Sequence, residues 1–316
     1  MLAGLLAGAA LAAVAYPLLV YSMTLAMFGL AHVLVELRVL DVRYRRALTG
    51  RLLHGVALAL LVVFAVRCAA TMQWIARDVA HVAELVAGCA SVLLLVPRSF
   101  RRGTGHAVAS LGVAITLCLS VLLVSPVATL LVLAVLHNLT PWPLIAATTE
   151  PANRRWVGLA GAVVFVAMPL LIVTGAPFAM LRAVASPEMS VLPTGPLFEH
   201  FSAFWGPSPH DHPTLALHVF SACVYLQCAH YICVLLVLPT QAPPGLRVGG
   251  RVVVSIVALG LVVALAYATD FVGARAWYGT LAGVHAWAEF PAMLLALDAL
   301  LAGPRPSSEV PVTGPG

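Results

Sequence analysis

Lysine is absent from this sequence, and charged residues of every kind make up only 9% of its 316 residues. About a quarter of the residues in a soluble domain are charged, so too little polar surface is present to cover a water-soluble globule. The six cysteines form no Cys-x-x-Cys pair, which argues against a zinc ribbon. Hydrophobic residues make up 62% of the chain, and the mean hydropathy is +1.01. This composition predicts an all-α, polytopic integral membrane protein.

The length of the apolar runs predicts nine membrane-spanning helices, since one span needs about 20 apolar residues. The first apolar run reaches back to Leu2, so Pro17 either kinks the first span or begins it. We expect one helical domain over residues 1–302, with an outer connection at 177–212 that is either a lid or an ordinary loop, and a disordered cytoplasmic tail at 303–316. The predicted spans are 10–36, 52–75, 79–97, 106–125, 127–148, 156–176, 213–238, 250–271 and 277–301.

The arginines predict how these spans are oriented. Thirteen of the seventeen fall on one side of the predicted bundle, and the four on the other side are Arg67, Arg77, Arg182 and Arg275. By the positive-inside rule the N-terminus lies outside and the C-terminus lies in the cytoplasm. The arginines lie in short gaps between apolar runs, a placement that reflects membrane topology and argues against a nucleic-acid partner. We expect a multi-pass protein surrounded by lipid, in the cytoplasmic membrane if the source is bacterial.

Histidine is unusually common, with eleven residues beside only twelve carboxylates. Ionisable side chains inside a membrane span are costly, so each one is a candidate for function. At about 1.5 Å per residue, four histidines fall about 9 to 20 Å above the cytoplasmic boundary. They lie on the first, fifth, seventh and ninth predicted spans, which all run from outside to inside, and are His32, His137, His230 and His285.

Two of these histidines are followed by a glutamate four residues later, as His32/Glu36 and His285/Glu289. Residues at i and i+4 share one helix face. Each pair therefore supplies either two metal ligands, or one ligand with a nearby general base, unless the two side chains only satisfy each other. A third pair, His81 and Glu84, has i,i+3 spacing, and there Glu84 alternatively neutralises Arg67.

The segment after His137 predicts a break in the fifth span. Pro141 has no N–H group to bond to the carbonyl of residue 137, so the regular helix cannot continue there. Broken backbone at membrane depth is tolerated where it is buried in protein or lines a cavity. His137 is thus predicted to lie at an interior site.

Neutral imidazoles with an occasional carboxylate suit iron, zinc or copper, and a histidine-rich site with open positions suits non-haem Fe(II) and oxygen chemistry. We therefore expect Fe(II), with zinc or haem as alternatives. The depth of the site implies a lipophilic substrate that enters from the bilayer. The predicted metal ligands are His32, His137, His230 and His285, and the candidate catalytic carboxylates are Glu36 and Glu289.

Four short motifs occur in the order seen in the bacterial β-carotene 15,15′-dioxygenase family of the Brp/Blh type, which the chain resembles distantly. The family motif Gly-Leu-Pro-His-x-x-x-Asp corresponds here to Gly29-Leu30-Ala31-His32 followed by Glu36. His137 occupies the position of the histidine that begins the family's second motif, His-Phe-Gly-x-x-Asp. His230 matches the first histidine of His-x-x-x-His, whereas Val234 replaces the second. The last family motif, Pro-His followed by a later Asp, corresponds here to Val284-His285 followed by Glu289. The resemblance implies a histidine-bound iron, with Glu36 orienting His32.

Three functional hypotheses follow. The first is an oxygenase that uses iron and O2 to attack a double bond or C–H bond in an isoprenoid, carotenoid or other lipid. The second is a zinc-dependent intramembrane lipid hydrolase, with Glu36 or Glu289 as general base. The third is a haem-binding, haem-assembly or proton-coupled transport protein, since histidines on facing helices ligate haem and His/Glu chains relay protons.

Overall fold

The structure, a computed structural model, describes residues 1–44, 50–95, 125–205, 211–241 and 250–301, together with Gly112 and Thr116. All regular elements in these ranges are helical. The helices are α1 (Leu2–Ala15), α2 (Pro17–Tyr44), α3 (Gly50–Thr71), α4 (Arg77–Leu93), α5 (Pro126–His137), α6 (Pro141–Thr148), α7 (Arg154–Ala162), α8 (Met168–Val173), α9 (Ala176–Leu181), α10 (Leu197–Trp205), α11 (Pro213–Ile232), α12 (Gly250–Thr269) and α13 (Phe271–Leu301).

Several short non-α turns join or extend these helices. A 3₁₀ turn at Pro151–Asn153 precedes α7, and a π-helical turn at Val163–Ala167 joins α7 to α8. A second π-helical turn, Cys233–Val237, continues α11 and leads into a 3₁₀ turn at Leu238–Gln241. Turns of the π type are frequent at functional sites, and the second one begins three residues after His230.

Five helical segments of the described chain are long and apolar enough to cross a membrane. This finding is compatible with a multi-pass membrane protein. Two further apolar helices, Leu2–Ala15 and Val254–Thr269, are shorter. The five long segments are Pro17–Val42, Gly50–Thr71, Pro126–Thr148, Pro151–Val173 and Pro213–Gln241.

The first predicted span, 10–36, does not form one continuous helix. Helix α1 ends at Ala15, and Tyr16 leaves the helical region with φ of −138° and ψ of 56°. Helix α2 then begins at Pro17, a favourable first position because proline has no N–H group to leave unpaired. Pro17 therefore begins a helix and does not kink one.

The remaining predictions of helices agree to different extents. Helices α4, α12 and α13 lie at the predicted spans 79–97, 250–271 and 277–301, but none of the three is among the five described segments that are long and apolar enough to cross a membrane. The predicted connection at 177–212 contains α9 and α10, and α10 buries His200 at 1% exposure. Most of the predicted span at 106–125 and all of the tail at 303–316 lie outside the described residues.

Helices α2 and α11 form the centre of the described bundle. Their most apolar windows are 61% and 67% buried, against 17 to 22% for the other three long segments. They pack against each other, and α13 packs against α2, α3, α4, α6 and α12. The largely exposed apolar faces of the outer segments are those expected to meet lipid, while α2, α11 and α13 carry most of the buried polar residues of the described chain.

A buried ion pair joins α3, α4 and α13. Arg67 Nη2 lies 2.6 Å from Glu84 Oε1, and Nη1 of Arg67 donates to the carbonyl of Gly279 at 2.6 Å. The indole N–H of Trp287 donates to the same Glu84 oxygen at 2.9 Å. Glu84 thus pairs with Arg67, which is the second of the two roles predicted for it from the sequence. Because Trp287 lies between His285 and Glu289 on α13, this contact also fixes how α13 is rotated.

Candidate metal centre

Four histidines from four helices converge in the interior. His32 on α2, His137 at the end of α5, His230 on α11 and His285 on α13 each offer one ring nitrogen, and these nitrogens all lie within 4.8 Å of one another. Three of the side chains are at most 2% exposed, and that of His137 is 13% exposed. The structure therefore brings together all four histidines that the sequence singles out, although residues 32 and 285 are far apart in the chain.

The predicted break in the fifth span positions His137. Helix α5 ends at His137 and α6 begins at Pro141, so the carbonyl of His137 has no partner of the regular helical kind. The backbone N–H of Thr140 donates to this carbonyl at 3.0 Å, and the Thr140 hydroxyl lies 2.7 Å from it. The break is thus satisfied locally, and it leaves the imidazole at the end of a helix facing the bundle interior.

Glu289 connects two of the histidines. Its Oε2 lies 2.8 Å from Nδ1 of His137 and 2.6 Å from the hydroxyl of Thr140, while its Oε1 lies 2.7 Å from Nε2 of His285. The carboxylate is 1% exposed. Because Nδ1 of His137 lies against this carboxylate, Nε2 of the same ring remains available as a ligand.

Glu36 contacts histidines on other helices rather than the one on its own. Its Oε2 lies 3.2 Å from Nε2 of His285 and 3.3 Å from Nε2 of His230. Nδ1 of His32 instead faces the carbonyl of Phe28 at 3.3 Å, and the ring stacks on Tyr231 with centroids 4.2 Å apart. The expectation that Glu36 orients His32 is therefore not met among the described contacts. The glutamate side chain extends away from α2 toward α11 and α13.

The ring nitrogens divide into two sets. Nδ1 of His32, Nδ1 of His137 and Nε2 of His285 each face an oxygen acceptor. Such an acceptor on one nitrogen fixes the tautomer and directs the other nitrogen toward a metal. The nitrogens left for a metal are Nε2 of His32 and His137 and Nδ1 of His285. For His230, the 3.3 Å contact of Nε2 with Glu36 leaves Nδ1.

Several buried polar atoms of the site lack an aligned hydrogen-bond partner among the described residues. In the described part of the chain, five buried polar atoms of this cluster have no aligned hydrogen-bond partner, although buried polar groups are nearly always paired. A divalent cation would give the imidazole nitrogens a partner and would balance the charge of two buried carboxylates. The residues present therefore fit a metal ion. The unpaired atoms are Nδ1 and Nε2 of His230, Nδ1 of His285, Oε1 of Glu36 and Oε1 of Glu289.

Other histidines make other contacts. His54 Nδ1 faces the carbonyl of Gly50, His218 stacks on Phe178 with centroids 4.4 Å apart, and His200 bonds to Arg275. His81 lies on α4 near the Arg67–Glu84 pair and is only partly buried. Two more, His106 and His210, lie outside the described residues.

The sequence alone does not identify Thr140 and Tyr278 as parts of this region. Thr140 reaches Glu289 only because of the break before Pro141, which is the one signal that points to it. The hydroxyl of Tyr278 lies 3.4 Å from that of Tyr231, the residue stacked on His32. Comparison of the chain with protein-family models, curated proteins and solved structures finds no match.

Proposed function

We propose that the protein is a membrane-embedded oxygenase that holds a non-haem iron through His32, His137, His230 and His285 and acts on a lipophilic substrate. One observation carries the proposal: ring nitrogens of four imidazoles on four helices lie within 4.8 Å of one another, and two buried glutamates contact three of these imidazoles. The distant resemblance to the Brp/Blh-type dioxygenases, which rests on the same four histidines, is consistent with it. A carotenoid, another isoprenoid or another lipid is the proposed substrate class.

The ligand set favours iron over zinc. Catalytic zinc sites keep three protein ligands and one open position, whereas four protein ligands close a tetrahedral site. Non-haem iron accepts more ligands, so four imidazoles still leave open positions for a substrate and for O2. The zinc hydrolase stays as the second candidate, because Glu36 and Glu289 lie close enough to the histidines to serve as a general base.

The same convergence argues against haem at this position. A porphyrin is a flat ring that separates its two axial histidines from every other ligand. Four ring nitrogens within 4.8 Å of one another leave no gap between α2, α5, α11 and α13 for such a plane. Proton relay without a metal is disfavoured as well, since several of the buried nitrogens have no aligned hydrogen-bond partner.

When bound, iron would supply the activation of O2 for attack on a double bond or a C–H bond. The protein's own groups prepare the site for it. Glu289 holds a proton on Nδ1 of His137 and so keeps that imidazole neutral and oriented. Glu36 does the same for His285, and the ring of Tyr231 restricts His32. The surrounding apolar helices exclude water, which favours an apolar substrate over a soluble one.

The proposed setting is a bilayer crossed nine times, with the N-terminus outside and the C-terminus in the cytoplasm. The arginine distribution supports this orientation, and the five long apolar helices are compatible with it. In this arrangement the centre lies within the hydrocarbon region, so the substrate and O2 both reach it from the lipid phase. The cytoplasmic membrane is the proposed location for a bacterial protein.

Metal analysis of the detergent-purified protein tests the proposal. We expect about one equivalent of iron and no haem absorption band in the near-ultraviolet region. His137→Ala and His230→Ala should abolish metal retention while helix content and the elution volume in gel filtration stay unchanged. His54→Ala, which removes an exposed imidazole outside the cluster, should retain the metal. Intact protein without any metal would overturn the proposal, and zinc in place of iron would favour the hydrolase.

A further inference from the structure

A cavity of about 240 Å³ lies between α2, α5, α11 and α13, the four helices that carry the metal centre. Most of its wall is apolar, from leucine, valine and alanine side chains. Its polar lining comes from five side chains, which are Tyr21, Asn138, Gln227, Arg275 and Tyr278. This volume lies below the range of about 300–1,000 Å³ that is typical of ligand pockets, so the cavity is too small for a two-chain lipid and has room for no more than about one hydrocarbon chain.

The cavity begins next to the metal centre and extends away from it toward Arg275. Asn138 adjoins His137 in sequence, and Gln227 precedes His230 by three residues on α11. The hydroxyl of Tyr278 contacts Tyr231, which stacks on His32. Arg275 precedes His285 by ten residues on one continuous helix, which corresponds to about 15 Å along its axis.

Arg275 places a positive charge at the far end of this apolar cavity. Its Nη1 donates to Nδ1 of His200 at 2.8 Å, and an imidazole has no negative charge that could balance the guanidinium. None of the ion pairs formed among the described residues includes Arg275. A guanidinium has five N–H donors in a planar fork that matches the oxygens of a carboxylate or phosphate.

A second cavity offers a contrast. It has a volume of about 370 Å³, lies between α2, α12 and α13, and shares the wall formed by Tyr278. Its charged lining residue is Asp270, whose carboxylate accepts the backbone N–H of Gly273 at the start of α13. A carboxylate at this position repels an anion, so charge complementarity assigns an anionic group to the Arg275 cavity and not to this one.

We infer that the cavity between α2, α5, α11 and α13 binds a single-chain amphiphile whose oxyanion head group pairs with Arg275 and whose hydrocarbon chain points to the metal centre. The assignment of this amphiphile as a substrate or product of the metal centre rests on the proposed function. Binding of the head group, however, depends on Arg275 and not on the metal. The reacting part of the chain lies about 15 Å from the head group.

Competition binding to the purified full-length protein in nonionic detergent tests this inference. Radiolabelled palmitate is the probe, with unlabelled palmitate, hexadecyl phosphate and hexadecanol as competitors of equal chain length. We expect palmitate or hexadecyl phosphate, whichever head group fits better, to compete at least about tenfold better than hexadecanol, the effect of one hydrogen bond to a charged group. Equal competition by hexadecanol would overturn the inference.

Matched arginine variants identify the binding group. Arg275→Gln should weaken palmitate binding at least about tenfold, whereas Arg182→Gln, which removes an exposed arginine after α9, should leave it unchanged. Unchanged affinity in Arg275→Gln would overturn the inference. If that variant fails to fold, the competition with hexadecanol in the unmodified protein decides. Metal content measured on the same samples separates the two proposals: palmitate binding by metal-free protein overturns only the oxygenase, and metal without palmitate binding overturns only the head-group site.

Discussion

Oε2 of Glu289 lies 2.8 Å from Nδ1 of His137, a contact between residues 152 positions apart in the chain. It joins α13 to the end of α5, and the second oxygen of the same carboxylate lies 2.7 Å from Nε2 of His285. One glutamate thus lies against two of the four imidazoles that make up the candidate metal centre.

The first prediction concerns Glu289 itself. Glu289→Gln removes the negative charge that orients His137, and we expect metal affinity to fall about 10- to 100-fold, as is typical when a partner of a metal-binding histidine is lost. The measurement is the metal retained after dialysis against increasing chelator concentrations. Glu150→Gln, at an exposed position after α6, is the matched control. Equal retention by both variants would contradict the role assigned to Glu289.

The second prediction concerns the hydroxyl of Thr140, which lies 2.6 Å from Glu289. Thr140→Val preserves the shape of the side chain but removes this buried donor, and we expect the free energy of unfolding to fall by about 1–3 kcal/mol. Thr140→Ser should restore most of the loss. Unfolding followed by helix content in graded denaturing detergent measures it. Thr174→Val, which removes an exposed hydroxyl bonded only to neighbouring backbone groups, should cost less.

The third prediction concerns the close packing of α4 against α13. A Cβ atom at Gly88 would lie 2.4 Å from the ring of Trp287, so Gly88→Ala must displace the indole that bonds to Glu84. We expect the free energy of unfolding to fall by about 1–3 kcal/mol. Gly279→Ala is the control, because a Cβ atom there has no neighbour within 4 Å. If Gly88→Ala lowers the free energy of unfolding no more than Gly279→Ala does, the close packing of α4 against α13 does not contribute to stability.

The fourth prediction concerns pH. Burial, and then the nearby Arg275 guanidinium, lower the pKa of His200 below the ordinary value of imidazole. Nδ1 accepts a hydrogen bond from Arg275, and Nε2 donates to the carbonyl of Thr194 at 3.0 Å. The unfolded chain therefore binds a proton at higher pH than the folded chain does, so stability falls as the pH drops below about 6.5.

Comparison with His200→Gln isolates this effect, because an amide can still accept from Arg275 and donate to Thr194. We expect the unmodified protein to lose more stability than His200→Gln between about pH 7 and pH 5, with a limiting slope of about 1.4 kcal/mol per pH unit. Thermal unfolding at each pH measures the difference. Parallel curves for the two proteins would rule out proton uptake by His200 as a cause of acid destabilisation.

Much of the candidate centre can be predicted from the chain because the relevant signals are local. His32 and Glu36, and likewise His285 and Glu289, share a helix face at i,i+4 spacing, and Pro141 predicts the break beside His137. Each of these follows from helix geometry within about one turn. The rarity of ionisable residues in apolar spans then separates these residues from the rest.

The partners of the glutamates are not predictable in the same way. Glu36 was expected to orient His32, yet its carboxylate contacts His230 and His285. Which imidazole it meets depends on how α2, α11 and α13 are rotated against one another, and that is decided by packing between distant segments. The end of α1 at Ala15 is an intermediate case, because Pro17 indicates a discontinuity but not its form.

The break after His137 also affects the charge of the site. The peptide dipoles of α5 add up along its twelve residues, and the end at His137 carries a partial negative charge of about half an elementary unit. An unbroken helix through the span would place that negative pole several residues further on, near the membrane surface. By ending at His137, α5 places this negative pole beside the four imidazoles, where it would stabilise a cation bound to them.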